Sequence, residues 1–86
     1  MFFVIFSKSK VFFIAEAGIN HDGSLKKALK LIDAAKRAGA SGIKFQTYTA
    51  EKRVKKNNPA FNILKKCELS FKEFKIINNY CKKKKI

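Results

Sequence analysis

The chain is poor in several things that would narrow its class at once. It has two cysteines, Cys67 and Cys81, and they are far apart. Neither has the close spacing of a zinc or redox motif, so both read as reduced thiols of a cytosolic protein. It has no long apolar run. Met1 to Phe6 is apolar, but Ser7, Lys8, Ser9 and Lys10 interrupt it and no charged segment precedes it. That does not fit a secretory leader pattern and falls far short of the roughly 20 residues of a membrane span. Residues 1–10 read as a short strand or extended lead-in. With four glycines and one proline in 86 residues, the chain shows no flexible linker, and it has no internal repeat. Its length allows one small domain at most, and residues 11–86 form a single unit in this reading.

Acidic residues are also scarce, six against twenty Lys and Arg, for a net charge of +14. The excess is concentrated in residues 51–86, where twelve basic side chains face three acidic ones. A basic tail can bind nucleic acid by neutralising phosphates, but no base-reading element accompanies this one. Lys82 to Lys85 read most simply as a solvated helix end, where cations complement the dipole. Nucleic acid is therefore not the expected partner. A non-enzymatic basic module that binds nucleic acid or an acidic partner is the alternative class. Apolar residues make up 47%, with nine Phe, so composition does not point to disorder.

What is present is an alternation of strand and helix. Val11 to Ala15 is a continuous apolar run that stops at Glu16, a buried-strand pattern. Gly18 and Asn20-His21-Asp22-Gly23 break the chain into a loop, and Ser24 is a good N-cap. Leu25, Ala28, Leu29, Ile32 and Ala35 recur at helical spacing. Gly39 stands where a helix ends, and Gly42 to Thr47 read as a second strand. This is a β-α-β unit, whose strands should be parallel with a right-handed crossover. Asn57, Asn58 and Pro59 mark a turn, and Ala60 to Cys67 read as a short helix. Ser70 and Glu73 match a capping box, with Leu69 and Phe74 placed as a hydrophobic staple. The helix that follows carries Phe74, Ile77 and Cys81 on one stripe, beside Tyr80, and runs to about Lys83. A third strand would be expected to start near Ile86.

Strand parity selects the candidate chemistry. Phe12, Ile14 and Glu16 share one face, and Lys44 and Gln46 lie opposite Ile43 and Phe45. If helices cover the Ile43 and Phe45 face, Lys44 and Gln46 point to the interior. There a lysine needs an anionic ligand, a carboxylate such as Glu16, or water. These polar groups fall at the carboxyl ends of their strands, the catalytic end of a (β/α)8 barrel. From pattern alone, Glu16 and Lys44 read either as active-site groups or as a structural ion pair. Asn20 to Ser24 read equally as turn chemistry at a helix entry.

Three stretches carry a resemblance: Ile14-Ala15-Glu16-Ala17-Gly18-Ile19-Asn20-His21-Asp22-Gly23; Ala34-Ala35-Lys36-Arg37-Ala38-Gly39-Ala40; and Ile43-Lys44-Phe45-Gln46-Thr47-Tyr48 followed by Ala50-Glu51-Lys52. Together they resemble the N-terminal part of the N-acetylneuraminate (sialic acid) synthase family, and weaker likeness extends from Leu64 to the last helix. The resemblance implies an incomplete α/β fold, the N-terminal β-α-β-α portion of a (β/α)8 TIM barrel. It implies a transferase that condenses phosphoenolpyruvate with N-acetylmannosamine or a related amino sugar and releases phosphate. By motif match, Glu16 corresponds to the catalytic carboxylate, Lys44 to the lysine that binds phosphoenolpyruvate, and Gln46 to a residue contacting the amino sugar. Asn20 and His21 match the signature loop without an assigned role. The family uses a divalent cation, Mn²⁺ or Mg²⁺, whose ligands come from late strands and have no counterpart here, so His21 is not expected to be a metal ligand. A homodimer and a cytoplasmic location are the family expectation. The segment after Tyr48 is shorter than is common in the family. The resemblance therefore implies a fragment without synthase activity of its own. The Phe45-Gln46 pair resembles the neuraminate and legionaminate branches more than the pseudaminate branch.

Overall fold

The computed structural model describes residues 2–6, as backbone only, and residues 11–86. Ser7 to Lys10, read above as an interruption of the apolar start, lie outside the described residues. Strand β1 (Phe2–Phe6) pairs antiparallel with β2 (Val11–Gly18), from Phe2 opposite Ala15 to Phe6 opposite Val11. Helix α1 (Leu25–Arg37) leads to β3 (Gly42–Phe45), which pairs parallel with β2 on its other side. Two short helices follow, α2 (Ala50–Arg53) and α3 (Phe61–Lys66), and then the long α4 (Phe71–Lys84). The sheet order is β1-β2-β3. One edge of β2 is thus covered by β1, a pairing that the sequence pattern did not give.

The helices form where capping and apolar spacing agree. Ser24 caps α1 by accepting from the Lys27 N–H, and Ala28, Ile32 and Ala35 are its buried stripe. Ser70 caps α4 in a full capping box. Its hydroxyl accepts from the Glu73 N–H at 3.1 Å, and the Glu73 carboxylate accepts from the Ser70 N–H at 3.0 Å. One core joins the two helices. Ala28 and Ile32 pack with Leu69 and Ile77, and Leu29, Ile43, Phe45, Phe74, Tyr80 and Cys81 flank them. Ile32 is fully buried, so truncation to alanine would cost about 2–5 kcal/mol.

Polar ties hold the C-terminal ends of α1 and α4 together. Tyr80 donates to Asp33 at 2.8 Å, Lys84 lies 3.7 Å from the same carboxylate, and Lys36 donates to the Lys85 carbonyl at 3.2 Å. The Asp33 acceptor holds the Tyr80 hydroxyl above the ordinary tyrosine range. Cys67 and Cys81 are free thiols, and burial pushes Cys81 up, away from thiolate chemistry. No described helix is long and apolar enough to cross a membrane.

Three boundaries differ from the sequence pattern. β2 runs two residues past Glu16, to Gly18. β3 stops at Phe45, so Gln46 and Thr47 lie beyond the strand. The polar segment after Tyr48 contains α2, which has too few residues to show periodicity.

Candidate functional site

Parity acts as the apolar pattern requires. Ile43 and Phe45 pack on the helix side with the core. Glu16 and Lys44 are register partners across the parallel pair, and their side chains meet with Lys44 Nζ 3.6 Å from Glu16 Oε2. The Glu16 side chain is 19% exposed and that of Lys44 62%. Lys44 is therefore not an interior lysine here, because the described residues place nothing over this sheet face. The Lys44 side of the pair is open to water, which screens the attraction and leaves the ammonium accessible to an anion. Glu16 Oε1 is buried and has no partner among the described residues. A carboxylate oxygen in that state calls for a donor.

A β-bulge gathers the rest. Between Glu16 opposite Lys44 and Gly18 opposite Phe45, β2 advances two residues while β3 advances one. The extra residue, Ala17, is buried. Bulges re-aim side chains at strand ends. Here the bulge puts Gly18 beside both polar groups. A Cβ on Gly18 would lie 3.4 Å from Glu16 Oε1 and 3.6 Å from Gln46 Nε2. The space Gly18 leaves open is thus shared by Glu16 and Gln46, although Gln46 is past its strand.

Arg53 is a group that the sequence reading missed. Its Nη1 donates a long 3.5 Å bond to Gln46 Oε1, and its guanidinium lies 5.6 Å from the centre of the Tyr48 ring. Tyr48 in turn donates to the Leu64 carbonyl at 2.6 Å. Only a fold that returns α2 to the end of β3 brings Arg53 here, and no local signal marks it.

The signature loop divides. Asn20 is exposed, with its N–H bonded to the Ala17 carbonyl at 3.0 Å. His21 is fully buried, and its Nδ1 accepts from the Gly23 N–H at 2.9 Å. Its ring lies 6.1 Å from that of Phe45. Burial lowers the His21 pKa below the ordinary histidine value, against the opposing pull of Asp22 and Glu73. No three His, Cys, Asp or Glu side chains come together as a metal site among the described residues.

Comparison with known proteins decides the family. The sequence model of the NeuB family matches residues 31–86. The chain belongs to the NeuB family. The crystal structure of an N-acetylneuraminic acid (sialic acid) synthetase from Leptospira borgpetersenii matches this NeuB chain with a TM-score of 0.80 and 39% identity. The match covers 100% of this chain and 33% of that one. The spore coat polysaccharide biosynthesis protein SpsE of Bacillus subtilis is 37% identical over 87 residues, covering 88% of this chain and 23% of the relative. The pseudaminic acid synthase of Campylobacter jejuni is 64% identical over 42 residues, 49% of this chain and 12% of the relative. The chain spans about a fifth of the length of the curated relatives that it matches over most of its own residues.

Proposed function

We propose that this chain forms the first two β/α units of a (β/α)8 barrel and supplies one wall of a nonulosonic acid synthase active site. The reaction is the condensation of phosphoenolpyruvate with an N-acetylated amino sugar, N-acetylmannosamine or a diacetamido sugar, with release of phosphate. The observation that carries the reading is the Glu16 and Lys44 pair at the carboxyl ends of two parallel strands, on the face away from the helices. An exposed ammonium at a strand end suits the phosphate or carboxylate of phosphoenolpyruvate. The unpartnered Oε1 of Glu16 is an acceptor available to a sugar hydroxyl or a water at the reacting carbonyl. Gln46, oriented by Arg53, offers an amide to the amino sugar. A divalent cation, Mn²⁺ or Mg²⁺, would supply Lewis-acid polarisation of the sugar aldehyde from ligands beyond this chain.

Relatives named for sialic and for pseudaminic acid both match, so the proposal names the class of sugar and not one member. The site is one wall only, and the 86-residue chain alone should therefore not turn over. Mixed with phosphoenolpyruvate, N-acetylmannosamine and Mn²⁺, it should release no phosphate above the buffer rate. Formation of a nonulosonic acid in that mixture would reject this point.

The wall itself is tested in a chimera. Residues 11–86 replace the matching segment of the Leptospira borgpetersenii N-acetylneuraminic acid synthetase, which is matched over all of this chain, and phosphate release is followed with a panel of amino sugars. We expect activity in the chimera. Lys44→Ala should lower kcat/KM by about 10²–10³, the scale for losing one charged contact to the reacting group. A folded chimera whose activity is indifferent to Lys44→Ala and Glu16→Gln would sink the reading.

A further inference from the structure

The loop between β2 and α1 contains a completely buried histidine that the proposed chemistry does not use. We propose that His21 is a positioning residue: its Nδ1, as a hydrogen-bond acceptor, locks the loop that carries the Glu16 wall into α1. This rests on the reading of Glu16 and Lys44 given above.

The geometry defines the ring's state. Gly23 N–H donates to Nδ1 at 2.9 Å. A ring nitrogen that accepts carries no proton, so the neutral ring holds its hydrogen on Nε2. Nε2 is buried, with no partner among the described residues. The ring therefore enters the fold as a one-point latch, not as a bridge. Its backbone takes part as well, because the His21 carbonyl accepts from the Ser24 N–H at 2.9 Å. Ser24 is the residue that caps α1.

The latch sits where four elements meet. Phe45, at the end of β3, faces the ring and is the register partner of Gly18. Gly23 is packed so closely on the end of α3 that a Cβ there would fall on the Lys66 carbonyl oxygen. Asp22 comes from the same loop and Glu73 from the first turn of α4, and both carboxylates favour the charged ring. Protonation of Nδ1 would set two donors, Nδ1–H and Gly23 N–H, against each other. The loop would then open between Gly18 and Ser24, and Gly18 is the residue whose Cβ position lies 3.4 Å from Glu16 Oε1. Ligand chemistry is not required of His21, nor is contact with substrate. Its effect on the site is exerted through the loop.

The test uses the ¹⁵N-labelled 86-residue chain and needs no ligand. Long-range ¹H–¹⁵N spectra of the wild-type imidazole at pH 8 should show a pyridine-like Nδ1 and a pyrrole-like Nε2. The opposite tautomer would overturn the proposal without any variant having to fold. Three variants then separate the latch from simple packing. Hydrogen exchange at the Gly23 amide should be at least about tenfold faster in His21→Ala and in His21→Gln, whose acceptor reaches the Nε2 position. In His21→Asn, whose Oδ1 stands where Nδ1 was, protection should stay within about threefold of wild type. Equal loss in His21→Asn and His21→Gln would reduce His21 to filler. Last, the amides of Ala17 and Lys44 should titrate with the His21 midpoint in wild type and not in His21→Asn. If only Gly23 responds, the loop is latched but the wall is not positioned, and the proposal fails. The chimera assay reports on Lys44 and is blind to the His21 tautomer, so the two readings fail separately.

Discussion

Both long helices start on a capping serine and are followed by a left-handed residue, Gly39 after α1 and Lys85 after α4, but the chain reaches them by different routes. From β2 to α1 it takes residues 19–24. That loop is closed by its own backbone: Asn20 N–H to Ala17, Asp22 N–H to Ile19 and Ser24 N–H to His21. From β3 to α4 it takes residues 46–70, held by side chains distant in sequence. Tyr48 donates to the Leu64 carbonyl, Glu68 accepts from the Ala50 N–H at 2.8 Å, and Lys65 lies between Glu51 and Glu68 at 2.8 and 3.4 Å. The first loop is specified by turn chemistry and close backbone approach, and the second by separate pairwise ties. The first should therefore fail sharply at single positions, whereas the second should loosen in steps.

Gly23→Ala should be the most damaging change. Gly23 has φ of 77°, and the added methyl would meet the rigid Lys66 carbonyl of α3. Left-handed strain and overpacking each cost about 1–3 kcal/mol. We expect a loss of about 3 kcal/mol or more in urea unfolding. Gly39→Ala is the control. It has φ of 85° but nothing within 4 Å of the new carbon, so only about 1 kcal/mol should be lost. Equal losses at the two sites would mean that the packing of the first loop on α3 is not what makes it rigid.

In the second loop the largest single effect should come from Glu68. Its Oε1 is the acceptor for the N–H of Ala50, a fully buried residue at the start of α2, where Thr49 makes no side-chain cap bond. Glu68→Ala would orphan that N–H, at a cost of about 2 kcal/mol. Glu68→Gln keeps an acceptor oxygen and should cost about 0.5 kcal/mol, because the Lys65 pair that it gives up is exposed. If the two variants unfold alike, the charge and not the hydrogen bond holds α2.

The two loops should also respond differently to pH. His21 has its folded-state pKa lowered below the ordinary 6.5, with burial as the main cause. The unfolded chain therefore binds the proton more readily. His21 contributes its full stability above pH 6.5 and loses it as pH falls from 6.5 through the lower folded value. Within that window the slope is at most about 1.4 kcal/mol per pH unit. Thermal unfolding between pH 8 and 5 should show it, and His21→Asn should flatten the curve. Tyr48, in the second loop, has its pKa raised mainly by burial, so its response belongs to alkaline pH. A slope that survives in His21→Asn would assign the acid sensitivity elsewhere.

The parts legible in the sequence are those built from near neighbours. Ser24 and Gly39 bracket α1 as their types require, and Ser70 with Glu73 starts α4. Parity set Lys44 opposite Ile43 and Phe45 and offered Glu16 as one possible partner, and the register pairs the two. What the sequence did not show depends on contacts between distant residues. The bulge at Ala17 exists only relative to β3, and Gly18 was the one hint of it. Tyr48 with Leu64 and Ala50 with Glu68 are 16 and 18 residues apart, and no period links them. Arg53 reaches Gln46 only because those ties fold α2 back. His21 could be placed in a loop from its neighbours, but its complete burial follows from Phe45 and α3 closing around it.

The smallest predicted effect is a gain, and it tests how alike the two units are at their helix ends. After α1, Gly39 and Ala40 donate to Lys36 and Ala35, and after α4, Lys85 and Ile86 donate to Lys82 and Cys81. The bonds are equivalent, and in each the left-handed position comes just past the helix. At α1 that position is glycine. At α4 it is Lys85, with φ of 60°, a conformation that costs an L-residue about 1 kcal/mol. Lys85→Gly should relieve the strain. Against it stands the loss of one cation near the end of the α4 dipole, a few tenths of a kcal/mol where three other lysines occupy the last turn. The Lys36 bond to residue 85 is to its backbone carbonyl and survives the substitution. We expect a net stabilisation of about 0.5 kcal/mol in urea unfolding at moderate salt, rising slightly as salt screens the charge term. A loss instead would show that α4 depends on the charge of Lys85 more than on its geometry, and the two helix ends would then differ in kind.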